Sequence, residues 1–145
     1  RIEHNAINDT EAYLEQIKMY DLLMMHTPIY AHRSPLKTLV KNRIQVGIAP
    51  DHAMNPYENI LIVTSQMANS GENLTVEEAV IAYTLVNAYA EFAENEKGTL
   101  TVGKLADLAV LTNDIFTIPA DKLIGTKSLL TMIKGRIVYQ SNVAW

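Results

Sequence analysis

His4 and Asp51 are the two residues whose types and places in this chain could do chemistry together. His4 closes Arg1-Ile2-Glu3-His4, which reads as the end of a strand, and Asp51 closes Gly47-Ile48-Ala49-Pro50-Asp51, which reads as the end of another. In parallel α/β architectures the working side chains stand at the carboxyl ends of strands, where loops converge. A neutral imidazole and a carboxylate are the ligands a hydrolytic zinc-like ion takes when no thiolate is present. The chain has no cysteine, so any metal must be held by such groups. An aspartate beside the ion can also accept the proton of a water that the metal has acidified. A plainer alternative stands beside this. A strand-end histidine is commonly a satisfied core or surface residue, and an aspartate ahead of a helix can serve as a cap. Two donors also fall short of the roughly three protein ligands of a catalytic zinc. His26 could face the same mouth as His4, His32 lies in a predicted loop, and His52 could touch a substrate. For these three the bland, hydrogen-bonded reading is the default.

The elements that must hold these residues alternate. Leu22 to Met25 and Ile44 to Ala49 are apolar runs that suit strands buried on both faces. Asn8 and Glu11 stand at capping-box spacing ahead of a helical face of Tyr13, Leu14, Ile17 and Tyr20. Ser34-Pro35 predicts a second helix, with serine as N-cap and proline at the first helical position. Asn55-Pro56 opens a third helix, expected to reach about Asn69 and to stop at a left-handed Gly71. Strands alternating with helices predict βαβ units and a parallel sheet. Thr75 to Glu78 is another capping box, opening an apolar helix through Val80, Tyr83, Val86 and Tyr89. After residue 95 the pattern turns to β. Strands are predicted at Leu108 to Leu111, Leu129 to Ile133 and Arg136 to Tyr139, the last pair joined by a Lys134-Gly135 turn.

Composition narrows the function classes. The 145 residues are 48% apolar and 19% charged, which suits a globular chain, and the net charge of -4 offers no basic footprint for nucleic acid. No Lys/Arg cluster points to a membrane surface, and no apolar run approaches the roughly 18 residues of a transmembrane helix. The chain opens at Arg1 inside a strand, which leads us to expect further sequence upstream. Three βα units do not close an eight-stranded barrel of about 250 residues. A small open α/β domain with a β-appendix and the tail of a larger barrel protein both satisfy the pattern.

A resemblance separates them. Gly98-Thr99-Leu100-Thr101-Val102-Gly103-Lys104-Leu105-Ala106-Asp107-Leu108-Ala109-Val110-Leu111 resembles the G-x-L-x-x-G-K-x-A-D-L-V-V-L signature of the amidohydrolase superfamily. Arg1 to His4 is similar to the R-I-E-H of amidohydrolase family 3, the branch with N-substituted formamide deformylases. Gly47 to Asp51 with Asn55-Pro56 resembles its G-S-D segment, and Glu78 to Thr84 its E-A-L-x-A-Y-T helix. Thr131 to Tyr139 resembles the closing hairpin.

The resemblance implies an α/β fold: the last βα units of a TIM-like metal-dependent hydrolase barrel, followed by part of a small C-terminal β-domain. Residues 1–95 would be barrel strands six to eight with their helices, and 96–145 the accessory β-segment. His4 would be a metal ligand on strand six. Asp51, on strand eight, would be both metal ligand and catalytic proton acceptor. The implied cofactor is a divalent metal, zinc first among candidates, and the implied reaction is hydrolysis of a C–N, amide-type bond in a small molecule. The expected partners are that small-molecule substrate and, for exposed strand edges, further copies in a homo-oligomer, with no nucleic acid and no membrane; the expected location is cytoplasmic. The sequence departs from the family pattern at Pro50, where serine is usual, and at Thr27, where many members have glutamine. The family's H-x-H pair, its strand-four carboxylate or modified lysine and its strand-five histidine have no counterpart here and would lie upstream. The chain alone is therefore expected to hold half a metal site and to be inactive. Gly98, Gly103 and Gly135 read as turn positions, and Lys104 and Asp107 as scaffold. A rival from another class is a non-catalytic α/β module used for binding or assembly.

Overall fold

The computed structural model describes residues 1–4, 11–51, 55–65 and 70–142. Ile2 forms a parallel bridge with Met24, and β1 (Met24–His26) pairs in parallel with β2 (Val46–Ile48). Every residue of β1 and β2 is buried, which is why both read as unbroken apolar runs rather than alternating ones. Helix α1 (Leu14–Met19) precedes β1, and α2 (Leu36–Lys41) makes the crossover from β1 to β2. Helices α3 (Pro56–Thr64), α4 (Val76–Tyr83) and α5 (Leu85–Ala90) follow.

An antiparallel sheet ends the chain, with β4 (Ser128–Ile133) between β3 (Leu108–Leu111) and β5 (Arg136–Gln140). Lys134 and Gly135 both take positive φ, as a two-residue hairpin of the type I′ kind requires. This sheet has its own strand pairing, yet Ile115 and Leu123, from the segment between β3 and β4, join the main core with Met24, Leu36, Ile48 and Val63.

Several local expectations hold and several are corrected. Thr75 and Glu78 form a full capping box: the Thr75 side chain accepts from the Glu78 backbone N–H, and the Glu78 carboxylate accepts from the Thr75 N–H. Asn55 caps α3 by accepting from the Tyr57 N–H at 3.0 Å. Ser34 is not a cap. Pro28–Arg33 folds into a 3-10 turn instead of a loop, and the Ser34 hydroxyl donates back to the Tyr30 carbonyl at 3.3 Å. Helix α3 stops at Thr64, with extended Ser65 behind it, so Gly71 (φ +78) is a left-handed turn residue further on. The long helix expected after Thr75 is broken at Thr84, whose hydroxyl donates to the Val80 carbonyl at 2.7 Å and so competes with the regular ladder. Asn8, in the first capping box, lies outside the described residues.

Candidate active site

His4 and Asp51 lie just past two segments that flank β1, His4 two residues beyond the Ile2 bridge and Asp51 three residues beyond the end of β2. Neighbouring strands lie about 4.8 Å apart, so backbones two strands apart are roughly 10 Å from each other and only side chains can close the distance. They do so here, with His4 Nδ1 3.1 Å from Asp51 Oδ1. His4 follows the short parallel segment held by hydrogen bonds from Ile2 N to Leu23 O and from Met25 N to Ile2 O, each 2.8 Å. Its own backbone then turns into the left-handed region at φ +53, a conformation that costs a non-glycine residue on the order of 1 kcal/mol or more and that histidine tolerates better than most. The approach to Asp51 is anchored twice. Ala49 N donates to His26 O at 3.0 Å, and the Asn87 side chain on α5 donates to Ile48 O at 2.8 Å. Gly47 leaves room for this: a Cβ there would run into the Met25 sulfur and come within 2.8 Å of Asn87 Oδ1.

The pair lines a recess of about 280 Å³ together with Glu3, His26, Thr27 and Pro50. The buried Thr27 hydroxyl lies 3.2 Å from the same His4 nitrogen. A carboxylate can only accept, so where no ion lies between them the two groups can be joined only through a proton on Nδ1. The separation also suits a shared ion. Two donors on one tetrahedral zinc, each about 2.0–2.1 Å from it, are roughly 3–3.5 Å apart, so a proton and a divalent cation would compete for one place. By donor chemistry and by spacing, His4 and Asp51 fit a metal. They fit part of its shell only, since among the described residues no group of three or more histidines and carboxylates could hold an ion.

The remaining histidines divide. His26 is buried at the end of β1 and faces the recess, whereas His32 is exposed in the 3-10 turn and away from it. His52 lies outside the described residues. A larger, mostly apolar groove of about 1040 Å³ runs between α4–α5 and the segment after Gly98, bordered by Tyr57, Tyr83, Leu108 and Phe116. Among the described residues that line it there is no histidine. Lys104 and Asp107 make scaffold contacts: the Lys104 ammonium donates to Glu94 O at 2.5 Å, and Asp107 accepts from the Lys134 N–H at 2.7 Å. Sequence reasoning missed the contacts of Thr27 and Asn87. The signal for Thr27 was present, in a hydroxyl residue next to proline at the end of an apolar strand. Asn87, inside an apolar helical stretch, carried none that named Ile48 as its partner.

The chain belongs to the amidohydrolase family, whose pattern matches residues 2–139. It is 26% identical over 115 residues to an N-substituted formamide deformylase of Arthrobacter pascens, covering 73% of this chain and 21% of that protein. It is 34% identical over 99 residues to an imidazolonepropionase of Bacteroides fragilis (strain ATCC 25285), covering 66% of this chain and 23% of that one. The chain thus spans between a fifth and a quarter of the curated relatives it matches. Among solved structures, an adenosine deaminase from Xanthomonas campestris with bound zinc superposes with a TM-score of 0.72 at 16% identity, over 93% of this chain and 36% of that one. At that identity the likeness concerns the fold alone: a mixed α/β chain built like part of an amidohydrolase.

Proposed function

We propose that this chain is the C-terminal part of a metal-dependent enzyme that hydrolyses a C–N, amide-type bond of a small molecule. In this reading residues 1–95 are the last strands and helices of a parallel barrel, and 96–145 belong to an accessory β-domain. The observation that carries it is the His4–Asp51 contact at the ends of parallel strands, in a chain of this family. A further ligand set, from outside these residues, would complete the shell. The exposed apolar residues of β5, Ile137 and Tyr139 among them, support association with other copies, and we read the enzyme as cytoplasmic.

His4 and Asp51 would hold the ion, with zinc as first candidate. When bound, the metal supplies Lewis-acid polarisation of the scissile carbonyl and a water acidified toward neutrality. Asp51 then has two tasks. It would help to hold the ion, and its carboxylate would take a proton from the attacking water and pass it to the departing nitrogen. His4 would contribute a neutral donor, which adds no negative charge to the site.

The test uses the complete protein. His4→Ala and Asp51→Asn should each abolish stoichiometric zinc binding or weaken it at least tenfold, and lower the hydrolysis of N-formyl or amide substrates by about 10²–10⁴. Zinc content by elemental analysis and turnover of a small panel of amides are the readouts. An unmodified protein that binds no metal and cleaves none of the panel would favour the binding or assembly module.

A further inference from the structure

Helix α5 is tied to both chain segments that lead to the two donors. The Asn87 side chain donates to the Ile48 carbonyl at 2.8 Å. The Arg1 guanidinium donates through Nη1, at 2.6 Å, to the carbonyl of Ala90, the last residue of the helix. Each tie lies three residues ahead of its donor, Arg1 ahead of His4 and Ile48 ahead of Asp51. On the helix the attachment points, Asn87 and Ala90, are close to one turn apart, about 4.5 Å along the axis. Val86 and Ala90 form one apolar cluster with Leu23 and Met25, so the helix lies across the β1 segment and is fastened on either side of it.

The strand ladder alone fixes less. Among the described residues the segment before His4 pairs with β1 through one bridge, Ile2 with Met24, and a single bridge acts as a pivot. A second attachment at Arg1 gives the segment a direction. On the other side, the ladder uses Gln45 O and Ala49 N toward β1, so the Ile48 carbonyl points to the opposite edge, where Asn87 meets it. We propose that α5 is a brace that sets the separation of His4 and Asp51, with Arg1 and Asn87 as its positioning residues. Both act through main chain. Each removes freedom that an arriving ion would otherwise have to remove at a cost in free energy.

The brace presupposes that His4 and Asp51 hold the ion, and the experiment separates the two. It uses the complete protein with Glu3→Gln as the reference. Arg1 Nε also lies 2.5 Å from Glu3 Oε1, so removing Arg1 alone would release a carboxylate at the recess. Zinc affinity is read by competition with a chromophoric chelator, and melting temperature is read without metal. Asn87→Ala and Arg1→Met should each weaken zinc binding about tenfold, the low end of the effect of groups outside a metal's shell. Loss of either tie already frees the separation, so the two losses should not multiply. The double variant should bind within about threefold of the weaker single variant, where independent ties would give about a hundredfold loss. Val86→Ala trims a buried side chain of the same helix and leaves both hydrogen bonds in place. It should lower the melting temperature and keep zinc affinity within about threefold of the reference. Three results would overturn the brace while His4→Ala still abolishes zinc binding. They are reference-like affinity in both single variants, losses that multiply in the double variant, and a loss in Val86→Ala as large as theirs. If the reference binds no zinc, or if His4→Ala binds it as tightly, the metal reading falls and the brace falls with it.

Discussion

Strands β1 and β2 are buried along their whole length, whereas every residue of β5 is exposed and β3 and β4 are only partly covered. The buried pair is closed to solvent except at its ends, so polar chemistry can be placed only there, and His4, Thr27 and Asp51 occupy those ends. Among the described residues the antiparallel sheet carries no such cluster. Its informative residues are those that shape turns or satisfy main-chain groups, such as Lys104, Asp107 and Gly135. One region therefore spends its specificity on side-chain donors, and the other on backbone geometry. Substitutions at the mouth should change metal binding with little effect on stability, and substitutions in the second region should do the reverse.

The largest expected effect outside the mouth is at Gly98. Its φ is +91, and a Cβ there would come within 2.8 Å of the Ala88 Cβ and 3.1 Å of the Leu85 Cα. Both the left-handed backbone and the contact with α5 oppose any side chain. Gly98→Ala should lower unfolding free energy by about 3 kcal/mol, read from denaturant midpoints of the complete protein. A loss under about 1 kcal/mol would show that α5 yields easily. Next comes Thr75→Ala, which removes one half of the capping box and should cost about 1 kcal/mol in the same measurement.

The smallest effect separates a charge from a cap. The Lys37 ammonium reaches both oxygens of Glu78 at 2.6 Å and ties α2 to α4. Burial pushes the Glu78 carboxyl up, but hydrogen bonds from Lys37 and Thr75 and the Lys37 charge outweigh it and hold the group below its usual range. A carboxyl held low in the folded state adds stability above its unfolded value, and that stability is lost as pH falls below about 4.5. Glu78→Gln keeps an amide oxygen for the cap and deletes the charge. It should cost under about 1 kcal/mol at pH 7 and progressively less as pH falls below about 4.5, so the two stability curves should converge on the acid side. Parallel curves at every pH would refute the ion-pair account.

How much of this was legible in the sequence follows the same division. The parallel strands could be read because burial on both faces leaves an apolar run with a proline and a polar residue after it, as at Thr27-Pro28 and Pro50-Asp51. Both halves of the Thr75–Glu78 box were legible because a cap is local, set by residues three apart. The break at Thr84 was not, since the hydrophobic period continues through it. Ser34 misled for a related reason: a serine before a proline resembles a cap, but the 3-10 turn behind it offered the Tyr30 carbonyl instead. At the site, residue types named His4 and Asp51, while the approach of the Thr27 hydroxyl to His4 depends on how separate chain segments align side by side. No spacing along the chain encodes that.

The Asn87 side chain links the two regions. It stands one residue before Ala88, against which Gly98 packs, and its amide holds the carbonyl of Ile48, three residues ahead of Asp51. The neighbour of the residue that crowds the signature glycine therefore also holds the main chain three residues short of the carboxylate, so one helix serves both regions.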